Sequence, residues 1–206
     1  MENPLNKYLL VISPEERISN QITQIKYEFA NSYGCTCAAQ LKPHCTLLHF
    51  IQHPITENYL VKNFDVSAAY CAAMKITLNG FGQYPRHTIY INVEEYRSLK
   101  NMVETLRFKT LSGIKLISPV YLTDPHVTIA RNMTEKQFTL AWKEWENRKF
   151  EASFTAHSIR LLKRKITEKD LGTNEKYQVV KDFELGGKKD TNEQLRIFKR
   201  KKSRST

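Results

Sequence analysis

No apolar run in this chain is longer than Ala68–Met74, seven residues, and a helix that spans a bilayer needs ~20. The opening Met1-Glu2-Asn3-Pro4 lacks a cationic n-region, which argues against secretion. Cysteine is also sparse, and Cys35, Cys37, Cys45 and Cys71 all fall in one third of the chain. Without an export signal they read as reduced thiols rather than as a disulfide framework. The expectation is a cytoplasmic protein that does not enter membranes. With 41% hydrophobic and 11% aromatic residues the chain can build a core, so wholesale disorder is excluded. Its 206 residues suit one domain, or two small lobes sharing an interface.

Acidic residues are in deficit. Thirty-two Lys and Arg stand against 21 Asp and Glu, a net charge of +11, and such a surface attracts polyanions. Residues 188–206 hold eight basic residues against two acidic ones, so +6 of the +11 sits in the last nineteen positions. The expected organisation is a folded domain over 1–187 and a basic tail over 188–206. The tail is either a tether for nucleic acid or a solvated terminus.

Along the body, Tyr8–Ile12 reads as a buried strand stopped by Ser13-Pro14, and Ile18, Ile22, Ile25 and Phe29 then recur at helical spacing up to Gly34. Cys45–Ile51 is a second strand, and Leu60, Phe64, Ala68 and Cys71 fit one helix face. Lys75–Leu78 and Thr88–Val93 read as an antiparallel pair joined by the turn-rich 79–86. Tyr96, Leu99, Val103 and Leu106 mark a helix, 113–123 a connection, His126–Arg131 a strand, and Phe138, Trp142 and Trp145 the core stripe of another helix. Glu151–Leu162 and Tyr177–Leu185 close the chain as a strand pair around a charged excursion. Each half thus supplies a helix, a strand beginning with His, another helix and a strand pair, an internal duplication of α+β type.

Two of the six histidines share a context. Pro43-His44-Cys45-Thr46-Leu47 and Pro125-His126-Val127-Thr128-Ile129 are one pattern repeated 82 residues apart. Residues i and i+2 of a strand share a face, so each His projects beside its Thr. If the halves face each other, one neutral imidazole can take a proton from an attacking water while the other, as imidazolium, protonates the leaving oxygen. The threonine hydroxyls can hold the non-bridging oxygens, and the chemistry requires no metal and no cofactor.

On these residues the chain resembles the 2H phosphoesterases, in the branch of 2′-5′ RNA ligase and cyclic phosphodiesterase proteins. Asn79-Gly80-Phe81-Gly82 leading to Thr88-Ile89-Tyr90-Ile91, His126-Val127-Thr128-Ile129-Ala130-Arg131, Ser158–Leu162 and Tyr177–Val180 extend the resemblance over about residues 6–186. It implies a bilobal α+β fold of pseudo-twofold symmetry, with two antiparallel sheets lining a central cleft and helices outside. It also implies metal-free hydrolysis of 2′,3′-cyclic phosphates or 2′-5′ linkages in RNA ends or nucleotides, run by some members in the joining direction. His44, Thr46, His126 and Thr128 match the family's catalytic positions. The resemblance leans towards His126 as base and His44 as acid. Arg131 matches a recurrent basic position, although strand alternation places it opposite His126 and Thr128.

Two rival readings draw on other residues. Cys35, Cys37, His44, Cys45, His49 and His53 crowd together without the paired spacing of a zinc site. A non-catalytic RNA-binding module would use the net charge and an aromatic turn, and Phe81, Tyr84 and Arg86 are the candidate substrate contacts there. His49, at odd spacing from His44, is expected to face the other way. The expected partner is RNA or a nucleotide, and the expected state is a monomer.

Overall fold

A computed structural model describes residues 5–110, 114–166 and 176–188. The basic tail beyond Lys188 and residues 167–175 of the charged excursion lie outside them. The chain runs β1 (Asn6–Ile12), α1 (Glu16–Tyr33), β2 (Cys45–Gln52), α2 (Glu57–Ala68), β3 (Met74–Tyr84), β4 (Thr88–Val93), α3 (Tyr96–Thr110), β5 (Ile117–Tyr121), β6 (His126–Arg131), α4 (Glu135–Trp145), β7 (Glu151–Ala156), β8 (Ser158–Lys165) and β9 (Gln178–Glu184). Every strand pairing is antiparallel, and the order across the sheet is β7-β3-β4-β6-β2-β1-β8-β9, with β5 beside β2.

The expected α+β duplication is present. The units β1-α1-β2 and β4-α3-β6 each end on a His-x-Thr motif. The halves β7-β3-β4-β6 and β2-β1-β8-β9 meet through a single residue pair, Cys45 opposite Val127, so the two expected sheets join into one. They are also intertwined: β3 follows α2 but pairs with β4 and β7, and β8 returns late in the chain to pair with β1. Likewise α1 packs on β6 of the other half, while α2 packs on α3 and β9.

Three local expectations are corrected. Residues 79–84 continue β3 rather than turning, because Gly80 at φ 64 takes the extra position of a bulge and the ladder resumes at Phe81–Ile91. Asn-Gly chemistry signals a positive φ, which a bulge uses as readily as a hairpin does. The connection 113–123 contains β5, a five-residue strand. Glu151–Leu162 is two strands broken at His157, and they lie in opposite halves of the sheet.

The core lies between the sheet and the helices. On α1, Ile18, Ile22 and Phe29 are fully buried, and the helix ends at Gly34, whose φ of 70 lets its N–H reach the Ala30 carbonyl. A capping box between Thr134 and Gln137 starts α4, and the Gln137 amide also donates to the Tyr33 carbonyl, tying α4 to the end of α1. Trp145 packs 5.1 Å from Phe29 and edge-on to Phe81 at 4.9 Å, as expected of a core anchor. No helix among the described residues is long and apolar enough to cross a membrane.

Candidate active site

Cys45 and Val127, the middle residues of the two motifs, form the pair that joins the halves. In antiparallel register this sets His44 beside Thr128 and Thr46 beside His126, so a local twofold axis passes between the motifs. Cys45 is buried on the core side, where loss of water pushes its thiol up to about 12, and it is no nucleophile. The flanking His and Thr residues, half-buried, project to the opposite face.

The proline of each motif has a structural consequence. It forces the residue before it into an extended conformation, which presents that residue's carbonyl to the imidazole. His44 Nδ1 bonds to the Lys42 carbonyl at 2.8 Å, and His126 Nδ1 bonds to the Asp124 carbonyl at 2.8 Å. A carbonyl only accepts, so Nδ1 carries the proton in both rings and Nε2 is left for the site.

The two environments then diverge. Burial holds His44 below its ordinary pKa, and the positive charges of Lys26, Arg131 and His126 push it the same way, against the Lys42 carbonyl. The His126 ring lies 4.7 Å from the Tyr90 ring and edge-on to Tyr84 at 5.3 Å. The Tyr84 hydroxyl donates to the Asp124 carboxylate at 2.9 Å and lies 3.3 Å from His126 Nδ1, and the Tyr90 hydroxyl donates to the same carboxylate at 3.4 Å. Desolvation, then the Asp124 carboxylate, raises both phenols, so they stay protonated donors.

Lys26, Ala38, Leu41, His44, Thr128 and Arg131 line a cavity of about 40 Å³. A larger one, about 440 Å³, lies between α3 and β5 against Arg107, Phe108 and Tyr121. It contains neither motif, whereas the small cavity is lined by a residue of each, His44 and Thr128, and is the candidate site. Among the described residues no three potential metal ligands come together.

A family model described as the 2′-5′ RNA ligase superfamily matches residues 14–168. The chain belongs to this superfamily. The family resemblance read from the sequence is therefore confirmed. No curated protein sequence matches it. Solved structures with the same fold include a Thermus thermophilus protein at TM-score 0.63 and 16% identity, covering 89% of this chain and 100% of that one. LigT of E. coli complexed with 3′-AMP aligns at TM-score 0.62 and 17% identity over 88% and 98% of the two chains. Usb1 of Kluyveromyces marxianus aligns at 0.51 and 14% over 85% and 98%.

Of the residues singled out in the sequence, His44, Thr128 and Arg131 share the cavity, and Thr46 and His126 complete the paired motifs. Arg131 does not lie opposite Thr128. The β4–β6 register skips Ile129, which makes it a bulge, so Arg131 returns to the Thr128 face. The same bulge occurs 82 residues earlier, where the β1–β2 register skips Leu47. It returns His49 to the face of Thr46, which corrects the expectation that His49 points away. Of the aromatic turn, only Tyr84 reaches the site. Phe81 packs against Trp145 and Phe150 on the helix side, and Arg86, exposed in a tight turn at φ 73, lies 4.0 Å from Glu135. Tyr90 and Asp124 beside His126, Gly82 beneath the Tyr90 ring and Lys26 in the cavity are not among the site candidates read from the sequence. Gly82 and Tyr90 lie in the segment that carries the family resemblance, and Lys26 left a signal of its own, a lysine four residues after Ile22 in the apolar stripe of α1.

Proposed function

We propose that this protein is a metal-independent phosphodiesterase that opens 2′,3′-cyclic phosphates or cleaves 2′-5′ linkages at RNA ends or in nucleotides. With an RNA hydroxyl in place of water as the nucleophile, the same two proton transfers open a 2′,3′-cyclic phosphate and join RNA ends. The observation that carries the reading is the matched Nδ1–carbonyl bond in each motif, which leaves two Nε2 atoms across a local twofold axis. One Nε2 removes a proton from water as its oxygen attacks phosphorus, and the other protonates the ribose oxygen as the P–O bond breaks. Thr46 and Thr128 donate to the non-bridging oxygens, and Arg131 neutralises the charge that builds there.

In the free protein, burial and its cationic neighbours hold His44 neutral at pH 7. That equips His44 as the base for hydrolysis and leaves His126 as the acid, the reverse of the assignment the resemblance implies. Joining keeps these roles, His44 taking the proton of the attacking RNA hydroxyl and His126 protonating the ribose oxygen as the P–O bond of the ring breaks. LigT has been crystallised with 3′-AMP and with phosphate, which supports nucleotide and phosphate ligands here.

The test is a panel of 2′,3′-cyclic nucleotides, RNA with a cyclic phosphate end and 2′-5′ oligonucleotides, assayed in excess EDTA with the product isomers identified. Hydrolysis that persists, yielding a 2′- or a 3′-phosphate, supports the reading. Complete loss on chelation, restored by zinc or manganese, overturns it.

A further inference from the structure

We propose that Lys26 is a substrate-binding residue, its ammonium holding a non-bridging phosphoryl oxygen of the scissile group together with Thr128 and Arg131. The proposal rests on the phosphodiesterase reading above and adds to it a cation from outside the repeated motifs. Lys26 lies on the buried stripe of α1 and is only 3% exposed. It reaches the site because β2 begins at Cys45, so β6 has no β2 partner beyond Val127 on that side. In that gap Lys26 Nζ donates to the Leu41 carbonyl at 2.9 Å, which uses one of its three N–H donors.

Among the described residues no carboxylate pairs with Lys26, and the charged groups facing the cavity are Arg131 and His44, with His126 close enough to act on His44. Burial first, and then Arg131, lowers the amine to about 8. An ammonium buried beside a guanidinium costs stability unless an anion joins it. The cavity of about 40 Å³ takes a phosphoryl oxygen or a water, not a base. Two cations, a hydroxyl donor and an imidazole around so small a space are complementary to a tetrahedral oxyanion. Stabilising the fold is no alternative explanation, since an apolar residue would fill this stripe at lower cost.

Inorganic sulfate is the probe, because its charge does not change between pH 6 and 9. Sulfate affinity is measured by calorimetry for the full chain and for Lys26→Met, Lys26→Gln and Lys26→Arg. Met and Gln should weaken sulfate about ten- to hundredfold, the usual worth of a charge-assisted hydrogen bond, and lower kcat/KM on a cyclic nucleotide by a similar factor. Melting temperature in the absence of sulfate should hold or rise for Met. Gln keeps a donor for Leu41, so it retains any purely structural tie. Wild-type affinity should fall between pH 7 and 9 as the amine loses its proton, and Lys26→Arg should abolish that fall. Sulfate affinity within twofold of wild type in Lys26→Gln, or an unchanged pH dependence in Lys26→Arg, would overturn the proposal. If sulfate binding depends on Lys26 while no phosphodiester is hydrolysed, the anion site stands and the hydrolytic reading falls. Hydrolysis indifferent to Lys26 does the opposite.

Discussion

His44 and His126 stand in the same relation to their own backbones, each bonding through Nδ1 at 2.8 Å to the carbonyl two residues before it. Both rings are thereby fixed in one tautomer with Nε2 left for the site, so the proposed proton transfers run through Nε2. His44→Ala and His126→Ala should each lower kcat by about 10² to 10⁴, the usual yield of positioned proton transfer. The double variant should fall little below either single one, because the two residues act in one step. Thr46→Val and Thr128→Val should act more mildly. A harmless His44→Ala in single-turnover assays contradicts the assignment.

The titration of His44 has a definite sign. Its folded pKa is depressed, so the native state binds fewer protons than the unfolded chain below the ordinary value of ~6.5. The stability this contributes is fully present above ~6.5 and is lost as pH falls through that value towards the folded pKa. His44→Gln should flatten that stretch of the urea stability profile. Imidazole NMR resonances should show His44 titrating below ~6.5 in the free protein. Titration at or above the ordinary value would return the base role to His126.

Gly82 sits under the ring that packs on His126. A Cβ there would overlap the Tyr90 ring and Asn92 Oδ1. Gly82→Ala should displace Tyr90, loosen the Tyr90–Asp124 bond and lower kcat about tenfold or more, in line with the sensitivity of catalysis to small misplacements. The effect should come with a near-native far-ultraviolet dichroism spectrum. Activity within twofold of wild type would show that Tyr90 does not position His126.

The Ile129 bulge predicts a contrast between two arginines. Arg131→Met should lower kcat/KM about ten- to hundredfold through loss of a charge-assisted contact. Arg86→Met should have little effect, since its side chain lies outside the cavity, 80% exposed in its pairing with Glu135. Equal losses for the two variants would place the substrate across the β3–β4 turn instead.

The tail can be tested separately. The chain stays bonded to the body up to Lys188, whose N–H donates to the Ala69 carbonyl. Truncation from position 189 should therefore leave kcat/KM for a cyclic mononucleotide unchanged. If the tail tethers RNA, truncation should raise KM for long RNA and reduce the slope of log K against log salt. Equal slopes for the two forms would leave it without a role in RNA binding.

The sequence by itself determined the repeated pattern and the α+β alternation, and it nominated the four His and Thr residues that the fold brings together, because His-x-Thr spacing and apolar periodicity are local properties. It also located His44 and His126 as partners, since the same context recurs at a constant offset. Only the tertiary structure decided which residues surround them. A bulge at Leu47 and another at Ile129 reversed the faces of His49 and Arg131, and an inserted residue is invisible to strict alternation. Phe81 and Tyr84 looked alike in a glycine-rich segment, yet a continuous strand sends one to Trp145 and the other to His126. Lys26 became part of the site through α1 crossing to the other half of the sheet, a contact between residues about a hundred positions apart in the chain that no local pattern encodes.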